Sequence, residues 1–159
     1  MKQDRFLIGI LIGVGVLIIA ALTLFFVRQG KQEYSSGNSP EDVVHNYVLA
    51  VIKQDYQKAY GYLADLPNKP TLDQFRKSFL TGVVNPNNAG IVIDKAEISG
   101  DDAVVNMSIV YAPSDPFSSS YRNPDRAFLV RQGGEWKLST MPYPYWDYSW
   151  YQALPTPMP

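Results

Sequence analysis

A single histidine, His45, and a scatter of carboxylates are the groups in this chain that could move a proton at neutral pH. General acid–base chemistry needs such a group held beside a partner, either an acid in apolar surroundings or a histidine oriented by a carboxylate. His45 lies about 100° around its helix from Val44, at the margin of an apolar stripe, and stands as the one weak catalytic candidate. Asp94 and Glu97 are three apart in a strand and are expected to face opposite sides. Asp101 and Asp102 read as turn residues, and Asp115 and Asp125 sit among Pro and Ser in a stretch with loop character. The chain has no cysteine, which excludes disulfides and thiolate metal sites. One histidine with dispersed carboxylates gives no metal-ligand spacing, so neither a metal nor a cofactor is expected. No nucleophile elbow or phosphate-cradling glycine loop is present, and a net charge of −1 offers no field for nucleic acid.

Binding chemistry has more material. Tyr47, Tyr60, Met107, Tyr111 and Trp136 are expected to point inward, where they either line a pocket for an apolar or aromatic ligand or simply fill the core. Near the end, "PYPYWDYSWYQ" (Pro142 to Gln152) carries Tyr143, Tyr145, Trp146, Tyr148 and Trp150 with one charge, Asp147. Tyr and Trp anchors suit a contact surface for a partner protein. The prolines and the terminal position also suit a strap packed back on the domain, and both readings stay open at this level.

The elements that would position these residues begin with "FLIGILIGVGVLIIAALTLFFV", Phe6 to Val27, which has no charge. As a helix it would run roughly 33 Å, and the expectation is an uncleaved single-pass transmembrane anchor at the cell membrane. Residues 1–5 form a short cytoplasmic stub with Lys2 and Arg5, which favours an extracytoplasmic soluble domain. Gly9 and Gly13 make a G-x-x-x-G pair suited to close helix packing in a membrane. Residues 28–38 are polar, with glycine and serine, and read as a short tether.

Ser39, Pro40 and Asp42 open a helix with a capping-box pattern, followed by an apolar stripe of Val44, Tyr47, Val48 and Val51. Asp55 caps a second helix bearing Tyr56, Ala59, Tyr60 and Leu63, and Thr71 with Gln74 marks a third. The period then changes to two. "IVIDKAEIS" and "AVVNMSIVYA" read as strands, "PSDPFSSSYRNPD" as a long loop, and "RAFLVRQ" and "EWKLSTM" flank the Gly133-Gly134 hairpin turn. The predicted fold is α+β: a transmembrane helix, then three helices packed on a curved antiparallel sheet over 39–141, and an aromatic, proline-rich tail over 142–159 whose last residues are expected to be disordered.

"PEDVVHNYVLAVIKQDYQKAYGYLAD" and "RAFLVRQGGEWKLS" resemble the opening helices and last hairpin of the nuclear transport factor 2-like (cystatin-like) superfamily. The resemblance covers roughly Ser39 to Met141 and implies a cone-shaped domain, in many members dimeric and with an apolar pocket, here of a membrane-anchored bacterial type. That superfamily holds enzymes, carriers and scaffolds alike, so the fold cannot choose a function. The sequence favours a non-catalytic binding or assembly domain whose partners are membrane lipid and another protein or a second copy. The alternatives are an accessory subunit of a larger membrane or secretion complex, and an isomerase- or dehydratase-like enzyme with an apolar pocket.

Overall fold

The computed structural model describes residues 3–28, 33–113 and 119–152. The chain divides into two units, Met1–Glu33 and Tyr34–Pro159.

The first unit carries α1, Gln3–Arg28. Its side chains, described from 7 to 23, are apolar around the whole circumference and exposed; Leu17 is 70% accessible. Thr23 closes its hydroxyl onto the Ile19 carbonyl at 2.8 Å, as an isolated hydroxyl on an apolar helix must. The expectation of a membrane-crossing helix over 6–27 is corrected here, because among the described residues no helix is long and apolar enough to cross a membrane. Lys2 and the other side chains of the expected stub 1–5 lie outside the described residues.

The second unit is an α+β domain. α2 (Pro40–Ile52) starts on the expected capping box, in which the Ser39 hydroxyl accepts from the Asp42 amide while Asp42 accepts from the Ser39 amide. Asp42 also accepts from the Ser35 hydroxyl, and these hydrogen bonds from Ser35 and Ser39 hold its carboxyl below the usual range. Gly37 sits against this network, and a Cβ there would collide with a carboxylate oxygen of Asp42. Asn46, buried on α2, grips the backbone of Ser35 through both its amide nitrogen and its oxygen, at 2.9 and 2.7 Å. The end of the expected tether is therefore fixed to the domain.

α3 (Tyr56–Gly61) is short and capped by Asp55. α4 (Leu72–Leu80) is capped by Thr71 and Gln74 in a second capping box. Four antiparallel strands follow in sequence order: β1 (Ala89–Ser99), β2 (Asp102–Tyr111), β3 (Tyr121–Gln132) and β4 (Glu135–Thr140). Strict alternation on β2 sends Ala103, Val105, Met107 and Ile109 into the core. α2 packs on β1, β2 and β4, and α4 packs on α3. Residues 62–64 extend the sheet past β4: Ala64 donates to the Leu138 carbonyl at 2.7 Å, and Leu138 donates to the Tyr62 carbonyl at 2.8 Å.

Two features depart from the sequence reading. A register shift between Ile93 and Ala96 absorbs a residue, so simple alternation fails across β1. Ile93 pairs with Met107 and Ala96 with Val105, both inward-facing partners, and Glu97 emerges beside Asn106, which donates to it at 3.1 Å. Asp94 and Glu97 are both exposed, and the parity argument that set them on opposite sides does not hold. The second departure is β3, which begins at Tyr121 and runs through Pro124 where a loop is expected. Pro124 lies opposite Ser108, on the part of β3 that β4 does not reach, and an edge tolerates a missing amide. Asp115 lies outside the described residues.

Candidate functional site

The C-terminal segment is part of the core. Tyr145 is 0% exposed, Trp146 2% and Trp150 6%. Turn residues bend the segment across the domain, and the polar tips of Tyr145, Trp150 and Tyr151 find partners. The Tyr145 hydroxyl donates to the Ala89 carbonyl at 2.7 Å and burial pushes its pKa up to about 12. The Tyr145 carbonyl accepts from the Tyr47 hydroxyl at 2.7 Å. Tyr151 donates to the Ala64 carbonyl at 2.7 Å, and burial raises its pKa too. Ring contacts tie Trp150 to Phe75 at 4.8 Å and Trp146 to Trp150 at 4.9 Å. Tyr145, Trp146 and Trp150 are thus not a free contact surface, which corrects that reading for these three; Tyr143 and Tyr148 stay exposed.

The five expected pocket residues belong to the core or pack against it. Tyr47, Met107 and Trp136 are buried in the core; Tyr60 and Tyr111 pack against it, partly exposed. Tyr47 and Tyr60 both contact Phe75, Tyr60 also donating to the Pro70 carbonyl at 2.9 Å, while Trp136 carries the Arg131 guanidinium at 4.4 Å. None of them lines a cleft described here. His45 is half-buried, and its Nδ1 lies 3.4 Å from the Asn46 amide oxygen, which Ser35 already occupies. It faces no cleft described here. Gly9 and Gly13 lie in α1 with open space where a Cβ would stand.

The structure instead forms a cleft of about 470 Å³ where the C-terminal turn passes α4. Asn68, Lys69 and Pro70 form one wall, and Gln74, Lys77, Ser78 and Thr81 of α4 and its C-cap form another. Val83 and the turn residues Ser149, Trp150 and Gln152 complete it. Beneath lies a polar knot. The Ser78 hydroxyl, buried on α4, donates to an Asp147 carboxylate oxygen at 2.7 Å and accepts from the Trp150 indole at 3.2 Å. The other carboxylate oxygen accepts from the Ser149 amide and hydroxyl, at 2.9 and 2.7 Å. Burial pushes the Asp147 carboxyl upward, but the hydrogen bonds from Ser149 and Ser78 outweigh it and leave it below its ordinary value.

An ionised Asp147 with its oxygens engaged is a poor general base, and Ser78 has no histidine to take its proton. The arrangement holds no poised nucleophile. Lys69 is pinned, donating to the Leu63 carbonyl at 3.1 Å with its ammonium 4.8 Å from the Tyr60 ring centroid. Lys77 is exposed at the rim.

Sequence reasoning missed this cleft because it joins residues some seventy positions apart. The signal available was Ser78, a small polar residue set between Phe75 and Phe79 on the apolar side of α4, together with the lone acid of the aromatic segment.

No family model and no curated protein matches the chain. Among solved structures, a SEC-C motif containing protein from Rhodopseudomonas palustris is similar at TM-score 0.47 and 14% identity, over 67% of this chain and 79% of that one. An uncharacterized cystatin fold protein from Novosphingobium aromaticivorans is similar at TM-score 0.44 and 14% identity, over 64% and 95%. A protein from Xanthomonas campestris, described as a candidate calcium/calmodulin dependent protein kinase II association domain, is similar at TM-score 0.33 and 15% identity, over 67% and 91%. At these values the likenesses carry no argument about function.

Proposed function

We propose that this chain is a non-catalytic binding or assembly domain whose working surface is the cleft between α4 and the C-terminal turn. The observation that carries the reading is the burial of Tyr145, Trp146 and Trp150, which fill the space between helices and sheet where an isomerase- or dehydratase-like enzyme would keep its apolar pocket. Polar chemistry is left to a surface cleft with no poised acid or base. Association with a membrane, with the domain on its outer face, is a separate part of the reading. It is supported by the exposed apolar side chains of α1 and requires no crossing helix. Membership of a larger membrane or secretion complex is the alternative form of the same assembly role.

Cross-linking of the full chain in cells, followed by purification, tests the proposal. Thr81→Trp, which fills the cleft with a bulky uncharged ring, is expected to remove the bound species, while His45→Ala leaves it in place. Loss with His45→Ala and retention with Thr81→Trp would overturn it and restore the enzyme reading.

A further inference from the structure

The lining of the cleft narrows what it would hold. Among the described residues its ionisable side chains are two ammonium groups, Lys69 and Lys77, and no carboxylate lines it, since Asp147 lies beneath with its oxygens engaged by Ser78 and Ser149. The amides of Asn68, Gln74 and Gln152 each offer both a donor and an acceptor, and hydroxyls add more of each. Apolar surface makes up about half of the lining, with Val83 exposed, but the Trp150 ring is 6% exposed and gives an edge, not a stacking face. A purely hydrophobic ligand would leave the two ammonium groups and the amides unused. A bare inorganic anion would leave the amides unused. A volume of about 470 Å³ falls within the range of small-molecule sites, about 300–1,000 Å³.

We infer that the cleft takes a small polyhydroxylated anion, a sugar acid or sugar phosphate, with its charge on Lys77 and Lys69 and its hydroxyls on the amides. This rests on the proposed binding role of the same cleft. Lys69 arrives pre-oriented by the Leu63 carbonyl and the Tyr60 ring, so it loses little freedom on binding. Lys77 is free to close over the charge. Hydrogen bonds to an ionised group are the stronger kind, and here they set selectivity for charge over shape.

The test follows the indole N–H resonance of Trp150 in the 15N-labelled full chain during titration with glucuronate, glucose 6-phosphate, glucose and inorganic phosphate. Either or both of the sugar anions are expected to shift it saturably, with a Kd at least about tenfold below those of glucose and phosphate. Which of the two binds more tightly separates the carboxylate from the phosphate form. Lys77→Gln is expected to abolish that tenfold preference and leave the response to glucose unchanged. Equal binding of glucose and the sugar anions, or a preference that survives in Lys77→Gln, would overturn the inference and leave the binding cleft standing. No response to any of the four probes also overturns it; whether the cleft binds at all is then decided by the Thr81→Trp cross-linking result.

Discussion

α1 and the C-terminal segment 142–152 are both rich in large hydrophobic side chains, and the structure treats them in opposite ways. Leu17 of α1 is 70% exposed while Trp146 of the segment is 2% exposed. The difference lies in where the polar atoms are. α1 is apolar around its whole circumference, so no single face is directed at a core. The C-terminal segment combines turn-forming Pro, Asp and Ser with rings that carry a polar tip. Once Tyr145, Trp150 and Tyr151 have partners in the Ala89 carbonyl, Ser78 and the Ala64 carbonyl, their burial leaves no unsatisfied polar group. A peripheral-looking segment thus becomes core, and its outer edge becomes one wall of a cleft.

Removing the segment should have the largest effect. Truncation after Met141 deletes three buried rings, each worth about 3–5 kcal/mol by comparison with large aromatic truncations in cores. That sum is comparable with the whole stability of a small domain, about 5–15 kcal/mol. Urea unfolding followed by circular dichroism should show loss of the cooperative transition. A truncated chain that unfolds like the full one would break the comparison.

Smaller effects should come from the polar knot. Ser78→Ala leaves the Trp150 indole and an Asp147 oxygen short of a partner, a cost of about 1–3 kcal/mol. Asp147 is held below its ordinary value of 3.8, so its contribution is present above that pH and is lost as pH falls through the lower folded value. Acid titration of stability should therefore be flatter in Asp147→Asn than in the parent. It should not be flat, because Asp42, depressed by Ser35 and Ser39, contributes with the same sign.

The smallest effect is expected at the other end. The chain divides at Glu33, so deletion of residues 1–32 should leave the unfolding free energy of the second unit unchanged within about 0.5 kcal/mol. A larger change would mean that the exposed apolar helix contributes to the domain after all, and the contrast would weaken.

What the sequence made legible was local. Ser39 with Asp42 and Thr71 with Gln74 announce their helices because a capping box is written within four residues. Gly133 and Gly134, both at positive φ, announce the β3–β4 turn for the same reason. The bulge after Ile93 was not legible, since its cause is distant: the freed Ala96 amide is taken by Glu41 of α2 at 2.9 Å. Nor was the strand through Pro124, which depends on that part of β3 being an edge. The cleft was the least legible, because Ser78 and Asp147 carry no motif and meet only when the segment folds back. His45 and the five large inward residues drew notice by type, and the structure gives them packing surroundings.

The central claim is that the aromatic segment is interior to the domain. Acrylamide quenching of tryptophan emission in the full chain carrying Trp136→Phe isolates Trp146 and Trp150, the other two of its three tryptophans. A blue-shifted emission resistant to quencher, turning red and quenchable only on unfolding, is the expected result. Red, freely quenched emission from the folded chain would contradict the account.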